Sequence, residues 1–137
     1  MQVELKEFDE STKSSTLAAK ALGCTLGEIA KSLVFVGRWT VVVIISGDRR
    51  VDGGKLARVV GSEFQIATPA EVREKTGFPI GGVPPFPHVE GVLVMVDRSL
   101  TRFSHVWAAA GTPYAVFRIG TSDLLRLVGS SSVDVAE

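Results

Sequence analysis

The sequence predicts an α/β (α+β) fold in which helices pack on a curved, mixed β-sheet. The chain has 137 residues, enough for one hydrophobic core and too few for two. Strand-like and helix-like segments alternate irregularly, unlike the regular alternation of a doubly wound parallel fold. Neither a repeat nor a linker occurs before the C-terminus. Residues 1–137 are therefore expected to form a single domain, with a polar tail over about 129–137 that frays.

Capping residues predict the helices. Ser14 is placed to cap a helix that stops at Gly23, and Asp52 is placed to cap a later one. Segments 25–28 and 68–71 have the spacing of a capping box, in which a threonine and a carboxylate satisfy each other's backbone N–H groups. The predicted helices cover 15–22, 26 to about 31, 53–60, 69–76 and 121 to about 127.

β-Branched residues predict the strands. Segments 32–36 and 40–45 are rich in them and too short for stable helices. Glycines and prolines exclude helix and central strand from 81–87, which is predicted to be a loop. The predicted strands cover 32–36, 40–45, 93–96, 104–109 and 114–119, with one further short strand between the helices at 53–60 and 69–76.

Charge and hydropathy exclude several classes. Fifteen basic residues balance fifteen acidic ones, which argues against a general nucleic-acid or DNA-binding protein. Residues 11–58 nevertheless carry a net charge of +5, which fits either a local phosphate contact or a solvated basic face. The longest apolar run, 41–45, is too short to span a membrane, and the charged N-terminus lacks a signal region. A cytoplasmic protein is expected.

Metal and cofactor motifs are missing from the sequence. Segment 53–56 is similar to part of a phosphate-binding loop, but Arg49 stands where the first glycine is required. Cys24, His88 and His105 lack the spacing of zinc ligands, and one cysteine cannot form an internal disulfide. Neither a metal nor a cofactor is expected, and both histidines are expected to be ordinary, partly exposed residues.

Three segments carry a family resemblance. They are 18–23 (AAKALG) with 29–35 (IAKSLVF), 76–86 (TGFPIGGVPPF), and 110–114 (AGTPY) with 122–125 (SDLL). In this order and spacing they resemble the YbaK family, editing deacylases related to the insertion domain of bacterial prolyl-tRNA synthetase. The resemblance covers about residues 11–128. It implies a strongly curved mixed sheet (a partial barrel) and a trans-acting hydrolase of the ester between a small, wrong amino acid and tRNA.

The resemblance also implies a site. It assigns three catalytic residues (Lys31, Gly81, Gly82) and three substrate-binding residues (Ser14, Ser32, Gly111). Glycines let backbone N–H groups approach the ester carbonyl closely, and a lysine offers a positive charge for ribose, phosphate or oxyanion. Each residue also has a structural interpretation. The lysine would be a solvated residue at a helix end, the glycines turn residues, and Ser14 a helix cap.

The sequence departs from the family at positions that bear on specificity. Pro84 stands where many relatives have a serine, and Val116 lies near a position where several have a carboxylate. Alanine, cysteine, serine and proline therefore all stay candidates for the amino acid that is removed. Two other functions stay open: a non-catalytic module that binds the tRNA acceptor end or a synthetase, and a small-molecule-binding or amide-cleaving domain.

Overall fold

The computed structural model describes residues 3–9, 11, 14–85, 91–129 and 131–137. The helices are α1 (Ser15–Leu22), α2 (Gly53–Val60), α3 (Pro69–Thr76) and α4 (Thr121–Val128), with 3-10 turns at Leu26–Glu28 and Arg98–Arg102. The strands are β1 (Val3–Glu7), β2 (Ile29–Gly37), β3 (Thr40–Ser46), β4 (Phe64–Ile66), β5 (Val92–Val96), β6 (His105–Ala109) and β7 (Ala115–Gly120).

All seven strands form one mixed, open sheet. Its order is β1-β7-β6-β2-β3-β5, and β4 pairs with β2 beside this path. The pairs β2–β6 and β3–β5 are parallel, and the remaining pairs are antiparallel. This arrangement confirms the prediction of a mixed sheet with helices packed on it.

Apolar side chains cover both faces of the sheet. Val41–Ile45 of β3 is fully buried, and its residues alternate between the two faces because successive side chains of a strand point in opposite directions. On one face the core includes Val72 of α3 and Leu124 of α4. The opposite face is covered by α2, through Leu56, and by α1. The sheet is therefore held between two apolar layers, which fix the positions of its strands.

The structure confirms most of the helix boundaries that were predicted from capping residues. Ser14 Oγ accepts a hydrogen bond from the N–H of Leu17 at 3.1 Å, and Asp52 caps α2. The capping box at Thr68 forms as predicted, with proline at the first helical position. The second predicted helix is wrong. Its capping box closes only a 3-10 turn over Leu26–Glu28, because the chain enters β2 at Ile29 and pairs there with β6.

The predicted fraying of the tail is wrong for its described residues, 131–137. Val135 is fully buried, and Val133 and Ala136 form bridges with Asp97 and Val51. The buried carboxylate of Asp97 accepts a hydrogen bond from the N–H of Val135 at 2.9 Å. The polar composition of the tail therefore gave no indication that this segment packs against the end of β5. Within the described part of the chain, none of the helices combines the length and apolar character needed to cross a membrane.

Candidate functional site

A cleft of about 410 Å³ opens beside the middle of β2. Its lining comes from the start of α1, from β2, from the loop after α3 and from strands β6 and β7. Four of the six predicted site residues line it: Ser14, Lys31, Ser32 and Gly81. These residues lie far apart in the sequence, and the fold brings them to one place. A cleft of this size is typical of small-ligand sites.

The two edges of β2 have different hydrogen-bond partners. The carbonyl of Ile29 accepts a hydrogen bond from the N–H of Gly47, just beyond β3, at 2.8 Å. Because alternate residues of a strand direct their backbone groups to opposite edges, Ser32 and Val34 face away from β3. The carbonyl of Val34 on that side accepts a hydrogen bond from the N–H of Ala67 at 2.9 Å.

Ser32 lies in a gap between two neighbouring strands. On its side of β2, strand β6 pairs only with Ile29 and Ala30, and β4 pairs only with Phe35–Gly37. The N–H and C=O of Ser32 therefore point into an interruption of the sheet, and the cleft occupies this interruption. The hydroxyl Oγ of Ser32 is also buried and has no hydrogen-bond partner within the described residues. The backbone of Ser32 thus leaves hydrogen-bonding capacity directed at the cleft, and its hydroxyl, unpaired among the described residues, is a polar group just beneath the surface.

Lys31 lies on β2, and the helix end predicted for it does not exist. Its side chain is half-buried and makes no ion pair with any residue that the structure describes. Burial lowers the pKa of Lys31, the nearby charge of Arg50 lowers it further, and Asp48 opposes the shift. Asp48 is itself engaged by Arg102 Nη2 at 2.8 Å and by Arg49 Nη1 at 3.4 Å. Lys31 is therefore a partly desolvated cation without a fixed counter-ion.

The loop that contains Gly81 and Gly82, here called the glycine loop, is a tight turn. Gly82 N–H donates to the carbonyl of Pro79 at 2.9 Å, and Gly81 has a φ of 81°, as the third position of a type II turn requires. This turn uses the N–H of Gly82 and not that of Gly81. Among the described residues, the Gly81 N–H makes no hydrogen bond.

Gly82 and Gly111 are not among the residues that line the cleft. A Cβ at Gly82 would lie 2.8 Å from the Cα of Thr112, so the loop and the β6–β7 turn are in close contact. Gly111 has a φ of 98°, and a Cβ there would lie 3.5 Å from the ring of Phe78. The two glycines allow one turn to support the other.

Apolar side chains, none of them among the predicted site residues, form the cleft walls. They are Ile29, Leu33, Ile80, Val83, Trp107, Ala108 and Val116, together with Ala18, Ala30 and Ala109. Val116 shows that the wall is apolar near the position where several relatives have a carboxylate. The cleft therefore combines an apolar wall with the polar groups of β2 and the loop at Gly81.

Cys24 and His105, two further residues considered in the sequence, do not line the cleft. His105 is exposed, with Nδ1 3.1 Å from the Oγ of Ser104, as expected for an ordinary residue. His88 lies outside the described residues. Burial raises the pKa of the Cys24 thiol. Groups of three or more His, Cys, Asp or Glu side chains suited to a metal ion do not occur in the described residues.

Comparisons with known proteins agree with this geometry. The family model for the aminoacyl-tRNA editing domain matches residues 9–127. The chain is 35% identical over 123 residues to the uncharacterized protein YwhH of Bacillus subtilis (strain 168), covering 88% of this chain and 78% of that protein. It is 32% identical over 112 residues to the multifunctional Ser/Thr-tRNA deacylase ProXp-y of Escherichia coli (strain K12), covering 77% and 67%.

A solved structure has the same fold over nearly the whole chain. It is described as a proposed trans-editing enzyme for prolyl tRNA synthetase and matches with a TM-score of 0.90 and 44% sequence identity. The alignment covers 98% of this chain and 87% of the other. At this level of identity and coverage, both the path of the backbone and much of the sequence are shared.

Proposed function

The chain belongs to the aminoacyl-tRNA editing domain family, and we propose that it is a trans-acting deacylase of mischarged tRNA. This membership confirms the family predicted from the three sequence segments. The proposed reaction is hydrolysis of the ester that joins a small, misattached amino acid to the 3′-terminal ribose. The ester would enter the cleft beside β2, with the acceptor end of the tRNA at its mouth.

The observation that carries this proposal is the convergence of polar groups at the interruption of the sheet. Lys31, Ser32 and the Gly81 N–H come from two distant segments and face one cleft with apolar walls. An aminoacyl ester presents a carbonyl oxygen, an amino group and a ribose, and needs donors for the carbonyl in the transition state. The cleft offers such donors beside an apolar wall.

Each group has a distinct task in the proposed reaction. The N–H groups of Ser32 and Gly81 would donate to the carbonyl oxygen, whose negative charge grows as water or a substrate hydroxyl attacks. Lys31 would supply positive charge at the same place or at the adjoining phosphate. Gly82, whose N–H is already used inside the turn, would hold the loop in place against Thr112. Ser14 would line the cleft while it caps α1.

The apolar wall, with Val116 and Trp107, favours an uncharged side chain on the substrate. Alanine, cysteine, serine and proline all meet this condition and all stay candidates. Exclusion by size discriminates weakly, by about 10–200-fold per methylene group. We therefore expect contacts with the tRNA, or a synthetase bound at the same time, to contribute to selectivity.

The experiment that tests the proposal measures the release of labelled amino acid from tRNAs mischarged with alanine, cysteine, serine or proline. Wild-type protein is compared with Lys31→Met, and Lys20→Met on the exposed side of α1 serves as the control. The proposal requires fast release from at least one tRNA by wild type and by the control. If folded wild type releases none but still binds the acceptor stem, the chain is a binding module and the hydrolase proposal is wrong.

A further inference from the structure

Arg50 projects from a fixed point near the cleft. It follows the turn that leaves β3, three residues after Gly47, which lines the cleft. The carbonyl of Arg50 accepts a hydrogen bond from the N–H of Glu137 at 2.9 Å, and Val51 forms a bridge with Ala136. The C-terminal segment thus holds the backbone at Arg50, while the side chain is exposed.

Of the basic residues near Asp48, some form ion pairs with described residues and others do not. Arg49 and Arg102 both contact the carboxylate of Asp48. Arg50 and Lys31 make no ion pair with any described residue, and the positive charge of Arg50 is near enough to lower the pKa of Lys31. The charge of Asp48 opposes that effect, but its carboxylate is already paired with Arg49 and Arg102.

We propose that Arg50 binds a phosphate of the RNA backbone at the acceptor end, and that Lys31 and Arg50 lie on either side of it. This inference rests on the proposed function and adds a residue that the sequence did not mark. A phosphate between two cations replaces their repulsion by two attractions. An arginine can also bind two phosphate oxygens at once, which a lysine cannot do.

The chemistry of the substrate fits this position. The ester lies on the 3′-terminal ribose, and the phosphodiester that joins this ribose to the preceding nucleotide is only a few bonds away. When the ester carbonyl reaches the N–H of Ser32, that phosphate comes close to Lys31, the preceding residue of β2, and Arg50 lies three residues beyond Gly47 on the cleft lining. The basic stretch 11–58 then has one defined contact point, and general attraction to nucleic acid is not needed.

The test measures binding of a fluorescent, uncharged acceptor-stem minihelix with a single-stranded CCA end, by anisotropy over a series of salt concentrations. The variants are Arg50→Ala and Arg50→Lys. Arg58→Ala is the matched control, since Arg58 is also exposed, belongs to the same basic stretch and makes no ion pair with described residues. Inorganic phosphate is titrated in parallel as a free anion.

We expect Arg50→Ala to weaken minihelix binding about tenfold and to reduce the slope of log K against log salt by about 0.7. Arg50→Lys should recover part of the affinity, and Arg58→Ala should bind as wild type does. For a mischarged minihelix, the ratio of its kcat/KM to that of aminoacyl-adenosine, which lacks the phosphate, should fall in Arg50→Ala.

Two results would overturn the inference. One is equal minihelix affinity and salt slope for Arg50→Ala and Arg58→Ala. The other is a loss of inorganic phosphate binding in Arg50→Ala without a loss of minihelix binding, which would identify a simple anion site. Absence of deacylation by wild type would remove the proposed function only, because the minihelix measurement does not depend on turnover.

Discussion

The Cα of Thr112 lies only 2.8 Å from the position that a Cβ on Gly82 would occupy. The neighbouring atom belongs to the backbone of the β6–β7 turn, so it cannot rotate away as a flexible side chain can. The contact holds the loop that contains Gly81 and Gly82 against the β6–β7 turn. Any side chain at Gly82 should therefore destabilise the fold.

We expect Gly82→Ala to lower the free energy of unfolding by about 1–3 kcal/mol, because the added methyl forces the two turns apart. Gly53→Ala is the control: a Cβ at Gly53 meets nothing within 4 Å, so its stability should stay near that of wild type. Urea denaturation of both variants provides the measurement. Equal stability of the two would show that the loop is not held by Thr112.

Lys31→Met should reduce deacylation. If its positive charge stabilises the developing oxyanion or the adjoining phosphate, its loss lowers kcat/KM by about 10²–10³-fold. The measurement is single-turnover hydrolysis of whichever mischarged tRNA the panel identifies, with Lys20→Met alongside. Full activity in Lys31→Met would remove Lys31 from the site.

The same substitution should stabilise the fold at neutral pH. Burial and Arg50 lower the pKa of Lys31, so the folded state is penalised while the lysine is charged in both states. As pH rises toward the ordinary lysine pKa of about 10.4, folded Lys31 loses its proton first and wild type gains stability relative to the variant. The difference in thermal midpoint between Lys31→Met and wild type should therefore shrink with increasing pH. A difference that is independent of pH would contradict the assigned shift.

Ser32→Ala separates binding from stability. The Oγ of Ser32 is buried without a partner among the described residues, so its removal should leave the free energy of unfolding unchanged or slightly higher. Loss of one hydrogen bond to substrate should lower kcat/KM by about 2–13-fold, the equivalent of about 0.5–1.5 kcal/mol. Ser122→Ala, on the exposed side of α4, should change neither quantity. A clear loss of stability in Ser32→Ala would mean that the hydroxyl has a structural partner.

Asp97→Ala should release the C-terminal segment. The buried carboxylate accepts hydrogen bonds from the N–H groups of Ser99 and Val135, each at 2.9 Å. Its removal leaves both donors unpaired and should cost about 3 kcal/mol. Asp123→Ala, which loses only an exposed pair with Arg126, should cost about 1 kcal/mol or less. Amide exchange at Val135 should accelerate in Asp97→Ala alone, and unchanged exchange would contradict this role.

Sequence reasoning succeeded where the determinants of structure are local. The caps at Ser14, Asp52 and Thr68 act within one helical turn, so each helix start could be predicted from four neighbouring residues. The helix predicted up to Lys31 failed because pairing of Ile29 with Trp107 on β6 overrides a local capping signal. Strand β1 escaped notice because its residues are exposed and it pairs only with β7.

The residues of the site show the same difference between what could be predicted from sequence and what depends on the fold. Lys31, Ser32, Gly81 and Ser14 were predicted through the family resemblance, and the fold places them together. Arg50 and the apolar wall carry no local pattern, since their positions depend on how distant strands and the C-terminal segment meet. Gly82 and Gly111, also assigned to the site from sequence, are not part of the cleft lining and lie where the loop after α3 meets the β6–β7 turn.

The interruption of the sheet at Ser32 has a consequence for how such a site can diversify. A donor that belongs to the main chain survives every side-chain replacement except proline, which alone lacks the N–H. Under the proposed function, the part of the substrate common to all aminoacyl esters would be bound by atoms that ordinary mutation does not alter. Exchange of wall residues such as Val116 would then change which amino acid is accepted, while the group that binds the ester stays the same.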